Sequence, residues 1–163
     1  MENSKKLIVY YSYTGHTKTI AENIRKKLGC DILEIKPVKE YSTDYQTVVD
    51  EEQNSNNKDK IIAIEKIDKD ISKYDEIIVG SPVWWYTIAP AIRTFLVENN
   101  LDGKIINPFA TNAGWLGHTF KEIESLCPNS KVEKGMDIVF TEDYTENKLV
   151  TSVKDIDNWI DSL

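Results

Sequence analysis

A chain of 163 residues that is 40% hydrophobic is long enough to bury one sizeable core and too short for two ordinary domains, so residues 1–163 are read as a single domain. With 27 acidic against 20 basic residues, the net charge of −7 opposes a long track of phosphate backbone and argues against nucleic acid as a partner. Cys30 and Cys127 have neither a CxxC spacing nor nearby histidines, which speaks against a zinc site or a disulfide framework, and no apolar run approaches the ~20 residues that cross a bilayer; with no charged-then-apolar leader, a soluble cytoplasmic protein is expected.

In chain order, the apolar run Leu7–Tyr11 reads as a buried strand, and Ile20, Ala21, Ile24 and Leu28 form the stripe of a helix behind it. A second strand follows at Ile32–Ile35. The crossover from Pro37 to Tyr74 is long and polar. Tyr41, Tyr45, Val48 and Val49 keep helical spacing there and predict one extra helix, followed by a solvated turn at "EEQNSNNKDK". Residues 61–67 read either as a short extension of the sheet or as loop. A third strand spans Ile77–Gly80, and Ile88, Ile92, Phe95 and Leu96 make the next helical stripe. Strand Ile105–Ala110, helix positions Phe120, Ile123, Leu126 and Cys127, and strand Met136–Phe140 continue the alternation. The last helix carries Val153, Ile156, Ile160 and Leu163, with Ser152 as N-cap and Asp155 three residues on. Several strands are apolar on both pleat faces, as buried parallel strands are. The pattern predicts a doubly wound α/β domain with a five-stranded parallel sheet and helices on both faces.

In such sheets ligands sit beyond the carboxyl ends of the strands where the winding direction reverses. The stretch "YYSYTGHTKTIAENI" lies there. A turn running straight into a helix presents unpaired N–H groups at the positive end of the helix dipole, and Ser12, Thr14 and Thr17 add hydroxyls while Gly15 lets the backbone curl. The plain alternative is that these are ordinary cap and turn residues. No GxxxxGK[ST] and no GxGxxG is present, and no cysteine and arginine pair suited to phosphatase chemistry accompanies the loop, so one terminal phosphate on neutral donors remains. The third strand then leads into "SPVWWYTIAP", where three consecutive aromatics cannot all face a core, and the fourth into "TNAGWLGHTF", with Gly114, Gly117 and Trp115. Together these loops predict a slot for a planar heterocycle.

These residues resemble a family. "YSYTGHT" is similar to the S/T-x-T-G-x-T phosphate loop of flavodoxins, and "GSPVWW" with "TNAG" resembles the two isoalloxazine loops of the flavodoxin-like superfamily. Flavodoxins are themselves a standard example of binding at the sheet's switch point, so the ligand's location is inherited from the resemblance. The resemblance implies a flavodoxin-like sheet of order 2-1-3-4-5 and FMN as cofactor. It implies that Ser12, Thr14, Gly15, His16 and Thr17 hold the phosphate, and that Pro82, Val83, Trp84, Trp85 and Tyr86 line one face and edge of the ring. Thr111, Asn112, Ala113 and Gly114 would supply backbone contacts to the other edge, with Trp115 covering it. His16 is either a donor to the phosphate or a solvent-facing helix residue, and His118 an ordinary surface or first-turn residue.

Two departures from the family stand out. Many flavodoxins carry carboxylates in the third loop, where repulsion lowers the potential of reduced flavin; "TNAGWLG" has none. Many also flip a peptide beside the flavin at a glycine. Residues 81–88 contain no glycine, so left-handed backbone is expected to be strained there and a one-electron-reduced flavin poorly stabilised. The resemblance thus points to an electron carrier without catalytic side chains, a monomer shuttling electrons between a reductase and an acceptor protein. Its acidic surface at Glu40, Asp44, Asp50, Glu51, Glu52, Glu142, Asp143 and Glu146 would either steer docking or serve as merely solvated faces. The alternative is an NAD(P)H-dependent quinone or flavin-type reductase, for which a dimer is expected. A phosphoacceptor receiver on the same fold would want an aspartate cluster, and the first strand ends in "YYSY".

Overall fold

The computed structural model describes residues 5–41, 46–47, 61–141 and 148–163. Strand β1 (Lys6–Tyr10) leads through a short loop into helix α1 (His16–Leu28), which ends on Gly29 in the left-handed conformation, and strand β2 (Asp31–Glu34) follows. After the crossover come β3 (Glu76–Trp84), the two-residue strand β4 (Thr87–Ile88), α2 (Pro90–Glu98), β5 (Ile105–Asn112), α3 (Thr119–Leu126), β6 (Lys131–Val132), β7 (Met136–Val139) and α4 (Val153–Asp161). The sheet runs β2-β1-β3-β5-β6, with β7 also on β5 and β4 folded back on β3. Every pairing in it is parallel except β3 with β4.

The flavodoxin-like strand order expected from the sequence is therefore present, with two elaborations. The fifth strand is in two pieces, β6 beside Ile105–Ile106 and β7 beside Phe109–Asn112. Between them Gly135 lies against the Phe120 ring, where an added Cβ would come within 2.6 Å of Cε2. The second elaboration is β4. Ile88, expected on the α2 stripe, belongs to this strand, and the helix starts only at Pro90, whose missing N–H costs nothing at a first helical position. The 61–67 segment is extended: Val38 donates to Ala63 O at 3.0 Å and Glu65 to Lys36 O at 2.7 Å, prolonging the pairing beyond β2. The helix expected on Tyr45, Val48 and Val49, and the "EEQNSNNKDK" turn, lie outside the described residues. So do Asp44, Asp50, Glu51, Glu52, Glu142, Asp143 and Glu146; Glu40 is exposed.

The period of two along a strand divides the core into two layers. Leu7, Val9 and Tyr11 face the same side as Ile77 and Val79, under Ile92, Phe95 and Ile123 of α2 and α3. Ile8 and Tyr10 point the other way with Ile78 and Phe109, under Ile20, Ile24, Ile156 and Ile160 of α1 and α4. Ser152 caps α4 as expected, its Oγ accepting the Asp155 N–H at 3.1 Å.

At the centre, Gly80 sits beside Tyr10 on β1 and Phe109 on β5. An added Cβ would penetrate the Phe109 ring, meeting Cε1 and Cε2 at 2.6 Å. Gly80→Ala is expected to destabilise the domain by about 2–3 kcal/mol through overpacking. Thermal unfolding of the single variant and of Gly80→Ala/Phe109→Leu checks this: the smaller side chain at 109 should recover part of the loss.

Candidate functional site

A cleft of about 440 Å³ opens at the carboxyl ends of the central strands. It lies where the chain winds outward from β1 to β2 on one side and through β3 to β5 on the other. Tyr13, Thr14 and His16 line it from the loop after β1, Pro82, Val83 and Trp84 from the end of β3, and Thr111, Asn112, Ala113 and Trp115 from the end of β5. Phe140 and Thr141, just after β7, close the remaining side. Tyr13, Phe140 and Thr141 are absent from the sequence-based set. Tyr13 was available within the quoted loop, and Phe140 as the end of the last strand, but nothing local announces that the last strand reaches the same cleft.

The first loop is organised by its own hydroxyl. Ser12 Oγ accepts the N–H of Gly15 at 3.1 Å and that of Lys18 at 3.2 Å, capping α1 from three residues before the N-cap. Gly15 is that N-cap, at φ 100°, with open space where a side chain would stand. A β-carbon would have room there but the wrong backbone. Thr17 is buried, and its hydroxyl shares a 2.7 Å hydrogen bond with that of Thr111, tying the first loop to the end of β5. His16 lies flat on Phe140, ring centroids 4.0 Å apart and planes 5° apart, so its ring belongs to the cleft wall.

The second loop separates its three aromatics. Trp84 is half-buried and stands edge-on to Tyr11 at 5.8 Å, Tyr13 at 5.9 Å and Tyr41 at 5.0 Å. Tyr41, read as a helix position, instead contributes to this cage. Trp85 and Tyr86 are exposed and lie outside the cleft lining. They form the two-residue turn between Trp84 and its partner Thr87, with φ 54° and 67°. Positive φ at both central positions marks the type I′ hairpin turn, which normally takes Asn-Gly. The glycine-free stretch therefore does enter left-handed backbone, at a strain of about 1–2 kcal/mol per bulky residue.

The third loop is held by side chains. Gly114, at φ 116°, donates its N–H to Asn112 Oδ1 at 2.8 Å, and Asn112 Nδ2 donates to Asp137 Oδ1 at 2.6 Å. Asp137, on β7, thus brings to this loop a carboxylate that its own sequence lacks. Trp115 is 55% exposed at the rim. His118 is exposed at the N-cap of α3. Of the sequence-based residues, Ser12, Gly15, Thr17 and Gly114 shape the loops from outside the lining, while Thr14, His16, Pro82, Val83, Trp84, Thr111, Asn112, Ala113 and Trp115 line the cleft.

Thiol chemistry is suppressed: burial pushes Cys127 up to about 11 and raises Cys30 as well, so neither presents a thiolate at neutral pH. No group of three or more potential metal ligands occurs among the described residues, and no described helix is long and apolar enough to cross a membrane.

Comparison with known proteins agrees with this architecture. A candidate flavoprotein of Bacteroides eggerthii superposes with a TM-score of 0.76 at 28% identity, covering 98% of each chain. A flavoprotein from Lactobacillus acidophilus, solved in complex with FMN, gives 0.65 at 27% identity over 83% of this chain and 93% of that one. Flavodoxin 2 from Bacillus cereus shares the fold, with a TM-score of 0.57 at 19% identity over 98% and 97%. The family model described as Flavodoxin matches residues 5–161, and the chain belongs to that flavoprotein family.

Proposed function

We propose that the chain binds FMN in the cleft at the ends of β1, β3 and β5 and carries electrons between protein redox partners. The observation behind this reading is the cleft itself: aromatic walls at one end, the N-terminus of α1 with its hydroxyl-rich loop at the other, and a volume in the range of cofactor sites. A ligand with a flat apolar ring and a phosphate tail matches both ends. The complex of the Lactobacillus acidophilus protein supports FMN as that ligand. Bound FMN supplies the electron storage; the residues of this chain bind it, orient it and limit water around it. Thr14 and the N–H groups at the start of α1 hold the phosphate, and Trp84 and Trp115 flank the ring. The exposed rim gives protein partners access.

A second reading, a reductase that takes electrons directly from NADH or NADPH, draws support from the exposed aromatics Trp85, Tyr86 and Trp115 beside the cleft, which offer a planar substrate a surface. One experiment separates the two. FMN-reconstituted protein is mixed anaerobically with NADH or NADPH alone. A flavin band that persists until a separate reductase is added is the expected result. Rapid bleaching by the nucleotide establishes the reductase, and absence of protein-bound flavin removes both readings.

A further inference from the structure

The turn at Trp85 and Tyr86 is an unfavourable conformation for two bulky residues, and nothing within the turn compensates for it. The surroundings do. The N–H of His118 donates to Tyr86 O at 2.9 Å, fixing the peptide that leaves the turn. Gly117, itself at φ 59°, packs so closely on Tyr86 that an added Cβ would collide with its carbonyl oxygen, with Cβ at 2.5 Å and with Cα at 2.7 Å. One residue further on, the buried Thr87 hydroxyl donates to Glu122 Oε2 on α3. The loop after β5 and the first turns of α3 thus grip the hairpin at Tyr86 and Thr87.

We infer that Gly117, with His118 N–H and the Thr87–Glu122 hydrogen bond, is a clamp that imposes the left-handed turn and thereby positions the Trp84 wall of the cleft. Gly117 is a positioning residue, outside the cleft lining yet decisive for its shape. Trp84 and Thr87 are the paired residues that flank the turn, so relaxing the turn moves Trp84 against Tyr11, Tyr13 and Tyr41. Strain of this kind persists only where the surroundings over-determine it. The consequence for the cofactor rests on the FMN reading above; the consequence for the turn does not.

Gly103 supplies an internal control. It also has positive φ, 79°, but nothing lies within 4 Å of an added Cβ. Gly103→Ala therefore carries the backbone penalty without the collision. The indole N–H resonances of Trp84 and Trp85 in the FMN-free protein are expected to shift in Gly117→Ala and to stay in place in Gly103→Ala. The FMN dissociation constant, followed by quenching of flavin fluorescence, is expected to rise about tenfold in Gly117→Ala alone. Tyr86→Gly added to Gly117→Ala should recover part of that rise, because glycine keeps the left-handed turn without help from the clamp and its Cβ no longer collides, while the contacts with the backbone oxygen and Cα remain. If Gly117→Ala does not fold, Thr87→Val, which deletes only the hydroxyl donor, is read in the same way with a smaller rise of about threefold. Unmoved indole signals in the clamp variant, or equal behaviour of the two glycine variants, overturn the inference. Failure of the wild-type protein to take up FMN removes the cofactor reading alone, and the indole signals then decide the clamp by themselves.

Discussion

Replacing Arg93 by methionine is expected to lower the unfolding free energy by about 3–5 kcal/mol, the usual loss when one partner of a buried ion pair is deleted. Arg93 lies on α2 with its side chain 3% exposed, and its Nε donates to Glu122 Oε1 at 2.6 Å, the glutamate being 14% exposed. The other carboxylate oxygen receives the Thr87 hydroxyl. One largely buried carboxylate therefore joins α2, α3 and β4, and removing the cation leaves it without its ion-pair partner. For a domain of this length the loss corresponds to a drop of roughly 8–16 °C in melting temperature. Most of it is the desolvation of the abandoned carboxylate rather than the worth of the pair, and that distinction can be measured. The triple variant Arg93→Met/Glu122→Leu/Thr87→Val replaces all three groups with apolar ones of similar volume and should regain most of the stability. A triple variant no more stable than Arg93→Met alone would instead assign the loss to the packing of the arginine stem.

This network was invisible in the sequence for a physical reason. Residues 87, 93 and 122 meet through tertiary packing of three elements, and no spacing along the chain encodes the meeting. A lone arginine in a helix reads as part of a solvated face, whereas α2 is buried through its first two turns, from Pro90 to Leu96. The strands, by contrast, were legible because a parallel strand covered on both faces must be apolar at consecutive positions, as Leu7, Ile8 and Val9 are. The turn between β1 and α1 was legible because its geometry is local: a hydroxyl, a glycine at φ 100° and a helix start lie within a few residues of one another. The β3–β4 hairpin was not, because hairpin prediction relies on turn residues that favour positive φ by themselves. Trp85 and Tyr86 do not. Their conformation is stabilised from 31 and 32 residues beyond Tyr86, by Gly117 and His118. Tyr41 joins the aromatic cluster around Trp84 for the same kind of reason, through a tertiary contact that no spacing along the chain announces. Sequence reading succeeds here where an element carries its own energetics and stops where a neighbour supplies them.

The same distinction bears on the cofactor's phosphate end. Riboflavin, which lacks the phosphate, is expected to bind the proposed site at least 100-fold more weakly than FMN. Ser12 Oγ already occupies the N–H groups of Gly15 and Lys18, so the hydroxyl shapes the loop rather than waiting for a ligand. The Thr17 N–H in the first turn of α1 and the Thr14 hydroxyl are donors suited to an oxyanion, at the positive end of the helix. Hydrogen bonds to a charged group contribute about 1.5–3 kcal/mol each, so two of them give between about two and four powers of ten in affinity. Residues 11–17 contain no lysine or arginine. Selectivity built on fixed short-range donors should persist at high ionic strength, whereas selectivity from the diffuse attraction of surface cations would fade within a Debye length of about 3 Å at 1 M salt. Titrating FMN-free protein with each flavin, at low salt and at high salt, measures both effects. Equal affinity for the two flavins would place the phosphate outside the loop, and a preference that disappears with salt would move its recognition from the start of α1 to exposed lysines such as Lys18.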